Sequence, residues 1–271
     1  MSGRTKGLDE AAKRAGTVQS VWRALTLLEL LAEDDEGSRL TELAERSSLS
    51  PSTVHRMLTT LEARRFVQFD PSEGLWHVGR EAFAVGASFV RRRNFVAQAL
   101  PFLRQLRDNT RETANLGIVE DGEIIVATQV ESREIMRTIA RVGGRVPMLA
   151  SGMGKAMLST YRPADVAAVI ARFGLRQMTS ATITGPDALT RQLEVARRVG
   201  YAVDDEEFVP GLRCVAAVVH GQAGEALCAI SVSGLSARME RARLPLIGEH
   251  VARVAADLTR ALGGLPGIRA T

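Results

Sequence analysis

The chain has 271 residues, a formal net charge of +4, and ordinary apolar (45%) and charged (24%) fractions. This length is typical of two domains, each with its own core. With no long apolar run and no apolar leader, we expect neither a membrane span nor a secretory signal. The two cysteines, Cys214 and Cys228, are typical of a reducing compartment, which predicts a cytoplasmic protein. Residues 1–93 carry 14 Lys/Arg and 13 Asp/Glu, so bulk charge does not indicate nucleic-acid binding, and any such function must rest on local pattern.

Residues 1–16 are polar and predict a flexible N-terminal arm, and helical spacing of apolar residues predicts a first helix at about 19–33. The face assigned to the core comprises Val21, Leu25, Leu28 and Ala32, and the apolar residues off that face are Trp22, Leu27 and Leu30. A helix that is apolar nearly all round needs two partners. One is its own core, and the other is a candidate second subunit.

Two further helices are predicted before residue 65. Ser38 is a candidate cap for a short helix whose inward residues are Leu40, Leu43 and Ala44. In SSLSPSTVHRMLTTLEARRF, Ser50 is an N-cap and Pro51 occupies the first helical position. The inward stripe comprises Val54, Met57, Leu58 and Leu61; Ser52, Arg56, Thr59 and Ala63 lie opposite, with Thr53 and His55 on the flanks.

A β-hairpin follows, with strands FVQF and LWHV around the turn sequence DPSEG. Three helices and a hairpin in this order predict a winged helix-turn-helix over residues 17–79, with the third helix in the major groove of DNA. The alternative is a small helical domain whose polar face meets only water. On the first interpretation, the residues predicted at the DNA interface are Ser50, Ser52, Thr53, His55 and Arg56, with Arg39 and Thr41 contacting the backbone.

An amphipathic helix over residues 80–94 predicts a stiff linker to a second domain at 95–271, which opens with a helix at 94–110. After Thr113 the spacing of apolar residues changes from that of a helix to that of a strand. It predicts a hairpin around Asp121-Gly122 and then a strand at 138–142. Helices are predicted at 163–172, 187–199 and 243–262, and CVAAVVHG and EALCAISVSG predict a second hairpin. The expected fold class is therefore α+β with a mostly antiparallel sheet.

The stretch Ala150–Ala156, ASGMGKA, is similar to a phosphate-binding loop but does not match its template. A P-loop requires G-x-x-x-x-G-K followed by Ser or Thr. Here Leu149 stands at the first glycine position and Ala156 at the hydroxyl position. A nucleotide-hydrolysing enzyme is therefore excluded.

Strand alternation brings a thiol and two hydroxyls together in the second hairpin. Ser231 and Ser233 share one face, opposite to that of Cys228, Ile230 and Val232. With a turn at Gln222-Ala223 or Ala223-Gly224, Cys214 lies opposite Ser231 or Ser233. Two ordinary serines at a strand end are the simpler alternative.

A catalytic interpretation makes Cys214 the nucleophile of a thiol hydrolase. His220, six residues away, would then have to act as its base. Six residues of strand span about 20 Å, whereas a base must lie within about 3 Å. No metal-spaced cluster is evident, so the sequence predicts neither an enzyme nor a bound cofactor.

Several of these segments together resemble the IclR family of bacterial transcription regulators over nearly the whole chain after residue 17. The resemblance rests on QSVWRALTLLELLA, LTELAERSSLSPSTVHRMLTTLEARRFV, LWHVGREAF, RVPMLASGMGKAML, GYAVDDEEFVPGLRCVAAVV and AISVSGLSAR. It implies a winged helix DNA-binding domain, a linker helix, a GAF-like effector-binding domain, and dimers that pair into tetramers on palindromic operator DNA. Trp22, Leu27 and Leu30 are then the expected dimer contacts.

The resemblance also implies that ASGMGKA lines an effector pocket, where the backbone N–H groups of Gly152, Met153 and Gly154 hold a small carboxylate. In the AllR-like subgroup the effector is glyoxylate, and the motifs place its other contacts at Asp204, Cys214, Ser231 and Ser233. Met153 departs from that subgroup, which has a small residue there. Another short oxo-acid such as pyruvate, or an aromatic acid, is therefore the alternative effector. Whether the regulator represses or activates is not indicated.

Overall fold

The computed structural model describes residues 18–34, 36–91, 95–133 and 141–265. The chain divides into two compact units, residues 1–92 and 93–271. No helix within the described ranges is long and apolar enough to cross a bilayer.

The described part of the N-terminal unit contains three helices, a two-stranded sheet and a fourth helix. These are α1 (Gln19–Ala32), α2 (Leu40–Ser47), α3 (Pro51–Ala63), β1 (Val67–Asp70), β2 (Leu75–Val78) and α4 (Arg80–Arg91). The strands pair antiparallel with Val67 opposite Val78. Val54 and Leu58 of α3 are fully buried with Leu43 of α2 in one core, as the spacing of α3 predicts.

The inward face of α1 differs in part from the prediction, because Leu28 packs against the core but Val21 and Leu25 do not. Leu27 and Leu31 are 0% and 1% exposed, whereas Val21 and Leu25 are 56% and 53% exposed. Leu27 therefore belongs to the core of its own unit, and Leu30 packs against that core. The helical spacing of apolar residues indicates two apolar stripes on α1, but it does not indicate which stripe packs against α2 and α3.

Ser38 does not cap α2, whose N-cap position is occupied by Arg39. Instead Ser38 forms a bridge with Trp76 of β2, with N–O distances of 3.0 and 2.9 Å in the two directions. This pairing attaches the chain before α2 to the hairpin. The first turn of α2 is closed by Glu42, whose Oε2 accepts a bond from Arg39 N at 2.9 Å.

The C-terminal unit has a six-stranded antiparallel sheet with helices on both faces, which is the predicted fold class. Its elements are α5 (Phe95–Thr110), β3 (Thr113–Glu120), β4 (Glu123–Val130), β5 (Arg145–Pro147), α6 (Gly152–Leu158), α7 (Pro163–Phe173), α8 (Pro186–Val199), β6 (Ala202–Asp205), β7 (Leu212–His220), β8 (Ala226–Leu235) and α9 (Leu244–Ala261). The strand order is β5-β4-β3-β8-β7-β6. α6 packs on β6, β7 and β8, with α8 against α6, and α9 packs on β7 and α5.

The second hairpin has the register of one of the two predicted turns, with Cys214 opposite Ser233. Its connection is longer than the predicted two residues, because Gly221 N bonds Glu225 O and the register shifts between Val219 and His220. The register shift allows the longer loop without moving Cys214 from Ser233.

Two strand assignments need correction. Of the strand predicted at 138–142, residues 138–140 lie outside the described ranges, and Arg141 and Val142 are not in a strand; the strand lies at Arg145–Pro147. Strand β6 was not predicted at all. This strand is only four residues long, and two of its residues are acidic.

Candidate functional site

The α2–α3 pair presents a polar surface built by the cap of α3. Ser50 accepts a bond from Thr53 N at 3.3 Å, and its hydroxyl lies 3.1 Å from Ser52 Oγ and 2.8 Å from Thr53 Oγ1. Between the helices, Ser48 adopts the left-handed conformation with φ 56°. The first turn of α3 therefore has its three hydroxyl side chains ordered against one another.

The predicted DNA-interface residues are on the surface of the N-terminal unit. The exposed ones are Arg39, Thr41, Ser50, Ser52, His55 and Arg56, and Thr53 is half-buried. Arg39 Nη1 lies 3.8 Å from where a β-carbon would stand at Gly74 in the hairpin turn. Its guanidinium is therefore beside the tip of the hairpin rather than at the first turn of α3.

In the C-terminal unit, ASGMGKA forms the start of α6, and every residue of this helix is buried. Ser151 is the N-cap, with its Oγ accepting from Gly154 N at 3.1 Å and donating to Pro147 O at 2.6 Å. Of the three amides expected to hold a carboxylate, that of Gly154 therefore already has a partner within the protein. Gly152 and Met153 precede Lys155, whose amide makes the first bond of the helix, to Ser151 O.

Both glycines of α6 are required by close packing. A β-carbon on Gly152 would lie 2.9 Å from Cys214 Sγ, and one on Gly154 would lie 2.1 Å from Met148 O. The helix therefore begins directly over Cys214 of β7. Met153 lies toward β3, where its Sδ would be 2.7 Å from a β-carbon on Gly117, and it belongs to the apolar cluster.

A row of polar side chains crosses the sheet under α6. Asp204 pairs with Cys214 across β6 and β7, and Cys214 pairs with Ser233 across β7 and β8. Ser231 lies one position along on the same face, opposite Asn115 of β3. Asp204 is 2% exposed and Ser231 is 0% exposed. The structure thus brings the four residues together, although three different strands supply them.

Asn115 also belongs to this cluster, although it was not among the predicted site residues. Its Nδ2 donates to Ser231 Oγ at 3.3 Å and to Ser233 Oγ at 3.2 Å. A polar residue within the apolar strand TANLGIVE was the available signal. The pairing of β3 with β8, which places Asn115 here, is not evident from the chain order.

Lys155 is the second residue that the sequence did not identify as part of this region. It is 1% exposed and pairs with Glu207, which is 3% exposed. Its Nζ also donates to Gln192 Oε1 at 2.7 Å. The lysine that suggests a phosphate-binding loop is therefore engaged inside the protein.

The electrostatics of the cluster do not provide a reactive thiolate. Burial, with a smaller contribution from the nearby Asp204 carboxylate, raises the pKa of Cys214 to about 11, although the Ser233 and Ser231 hydroxyls oppose this shift. Burial, with a smaller contribution from Glu207, raises the pKa of Asp204 to about 7. Near neutral pH Cys214 is a thiol, so it does not have the ionised sulfur that a thiol hydrolase requires.

Comparison with known proteins adds two family matches and close relatives. Residues 20–71 match the IclR helix-turn-helix domain, and residues 87–260 match the C-terminal domain of the bacterial transcriptional regulator IclR. The chain is 42% identical to the HTH-type transcriptional regulator BhcR of Paracoccus denitrificans over 257 residues, covering 95% of this chain and 91% of that protein. It is 36% identical to the HTH-type transcriptional repressor AllR of Escherichia coli over 245 residues, covering 90% of each.

A solved structure with the same fold is an IclR homologue from Microbacterium hydrocarbonoxydans in complex with 4-hydroxybenzoate. Its TM-score is 0.75 at 23% identity, covering 90% of this chain and 98% of that one. Both matched domains are those of a regulator, and neither is that of an enzyme. The chain belongs to the IclR family and is a DNA-binding transcription regulator with a C-terminal effector-binding domain.

Proposed function

We propose that this regulator senses a small carboxylate, with glyoxylate as the best candidate, through the polar row under α6. The observation that carries the proposal is the convergence of Asp204, Cys214, Ser231, Ser233 and Asn115 on one buried face of an otherwise apolar sheet. Buried polar groups are costly unless they are partnered. Hydroxyls and an amide gathered over a short distance suit a two-carbon oxo-acid better than an aromatic ring.

Met153 supports a short effector for a steric reason. Its thioether lies against Gly117 in the apolar cluster, where it borders the polar row on the β3 side. A longer acid would have to displace this side chain. Pyruvate is the near alternative, and the 4-hydroxybenzoate of the Microbacterium homologue keeps an aromatic acid as the distant one.

On the DNA side, α3 of each subunit would lie in the major groove, with Ser50, Ser52, Thr53, His55 and Arg56 at the interface and Arg39 and Thr41 near phosphates. Operator binding would place the protein in the cytoplasm. A dimer, pairing into a tetramer, would present two such helices to a palindrome. The apolar face of α1 that remains exposed, with Val21 and Leu25, replaces the interior Leu27 as the candidate dimer contact.

Calorimetric titration with glyoxylate, pyruvate, glycolate and 4-hydroxybenzoate tests the effector assignment. We expect saturable binding of glyoxylate, and weaker binding when Ser231→Ala and Ser233→Ala are combined, because Asn115 then loses both partners. Operator binding without effector is expected to be unchanged in that variant. Binding of only 4-hydroxybenzoate would contradict glyoxylate as effector, and loss of operator binding together with effector binding would make the serines structural.

A further inference from the structure

Three charged side chains are buried together beside the polar row. Lys155 of α6 donates to Glu207 and to Gln192 of α8, and Glu207 follows β6 by two residues. Asp204 lies three residues before Glu207, and its Oδ1 accepts bonds from Glu207 N at 2.8 Å and Phe208 N at 3.4 Å. With both carboxyl groups ionised, these three side chains carry a net charge of −1.

The groups that face Asp204 from the packed elements leave this charge uncompensated. The charged neighbour on α6 is Lys155. The charged neighbour in the loop after β6 is Glu207, which pairs with this same lysine. From β7 the neighbour is the Cys214 thiol, and from β8 and β3 come only hydroxyls and the Asn115 amide. The other ionised groups of this segment, Asp205, Glu206, Arg213 and Arg241, pair with one another.

A carboxylate effector adds a second negative charge to this buried region. Two carboxylates that share a site cannot readily both stay ionised, and the pKa of one of them rises. Burial already raises the pKa of Asp204 to about 7. Burial also raises the pKa of Glu207, but the Lys155 ammonium pairs directly with Glu207, whereas it acts on Asp204 without a direct bond, so we assign the proton to Asp204.

We infer that the site admits a monocarboxylate together with one proton, which Asp204 takes up on Oδ2 and then donates as a hydrogen bond to the bound carboxylate. The inference rests on the proposed function and deepens it. Asp204 is then a specificity-determining residue, because its acid form is a donor and not an acceptor. A dicarboxylate of the same length would bring one charge more than the single proton neutralises.

The direction in which effector affinity depends on pH follows from this uptake of a proton. Above pH about 7 the free protein has Asp204 ionised, so binding consumes one proton, and the dissociation constant rises about tenfold for each pH unit. Below that pH the proton is already in place, and the affinity is flat. An Asp204 that stayed ionised and accepted a bond from the effector would give no such slope.

The test is calorimetry with glyoxylate on the full chain at pH 6, 7 and 8.5, in pairs of buffers that differ in ionisation enthalpy. We expect uptake of about one proton at pH 8.5 and little at pH 6. Oxalate should bind at least about tenfold more weakly than glyoxylate at pH 8.5. Equal binding of the two, or the same heat in every buffer at pH 8.5, overturns the inference.

The variant Asp204→Asn sharpens the test, because Asn keeps an acceptor for the two backbone amides and places a donor where the proton would be. Its affinity for glyoxylate is expected to be the same at pH 6 and pH 8.5, with no proton uptake. Asp205→Asn, one residue away and paired with Arg213, is the matched control and should keep the slope. Loss of binding in a folded Asp204→Asn protein overturns the inference while leaving the proposed function intact. Wild-type protein that binds none of the acids at any pH overturns both.

Discussion

Lys155 is a charged residue buried inside the C-terminal unit, where its ammonium pairs with the Glu207 carboxylate. Removing one partner of a buried ion pair leaves an uncompensated charge in a medium that solvates it poorly. We therefore expect Lys155→Met to lower the free energy of unfolding by about 3 to 5 kcal/mol, measured by urea denaturation followed by circular dichroism.

The matched control removes both charges. Lys155→Met combined with Glu207→Gln has no carboxylate that has lost a direct ion-pair partner, and it should recover much of the loss. Equal destabilisation of the single and double variants would show that the pairing is not what stabilises this region.

Arg56 is exposed on α3, and with α3 docked in the major groove as proposed, its guanidinium would reach a base edge. With an operator selected from a random DNA pool by the wild-type protein, Arg56→Ala is expected to lose about 1 to 3 kcal/mol of binding and to relax base preference at one position. Arg104→Ala, at an exposed arginine of α5 in the other unit, is the control for the loss of one positive charge. Equal affinities of the two variants in a gel-shift titration would remove Arg56 from the interface.

At the scale of elements, α6 packs closely against its neighbours because two of its positions are glycines. A β-carbon on Gly154 would meet the Met148 carbonyl at 2.1 Å, and backbone cannot move aside as a side chain can. We expect Gly154→Ala to cost about 1 to 3 kcal/mol. Gly86→Ala in α4 is the comparison, since no atom lies within 4 Å of its β-carbon position. That change should gain about 0.5 to 1 kcal/mol. A Gly154→Ala protein that melts like the wild type would contradict this packing.

The sequence predicted most elements because their signals are local. Ser50 and Pro51 mark the start of α3, and strand alternation placed Cys214 opposite Ser231 or Ser233, of which Ser233 is its partner. Contacts that depend on strand order were not predictable. Asn115 reaches the serines only because β3 lies beside β8, and nothing local signals that neighbour.

The incorrect predictions also arise because the packing between distant segments has no local signal in the sequence. Both faces of α1 are apolar, so the choice between Leu27 and Leu25 as the core residue needed the positions of α2 and α3. The position of Asp204 beside Cys214 was expected from the family resemblance alone, since the short strand β6 has no alternation long enough to detect.

At the scale of the whole molecule, regulation requires the two units to be coupled in free energy. Linkage makes this coupling reciprocal: the factor by which effector changes operator affinity must equal the factor by which operator changes effector affinity. We expect equal factors when fluorescence anisotropy is used to titrate operator at saturating glyoxylate and calorimetry is used to titrate glyoxylate at saturating operator. The variant with Ser231→Ala and Ser233→Ala should bring both factors toward one. Factors that differ beyond error would contradict a two-site regulator of this kind.

The burial of Lys155 also gives the molecule a natural cleavage reporter. The other lysines of the chain, Lys6 and Lys13, precede the described residues, and all the remaining basic residues apart from histidine are arginines. A lysine-specific endoprotease therefore has one target within the domains, and that target is hidden in α6. The rate of cleavage at Lys155, followed separately from any cleavage at Lys6 and Lys13, measures how often the sheet releases this helix, without any label or substitution.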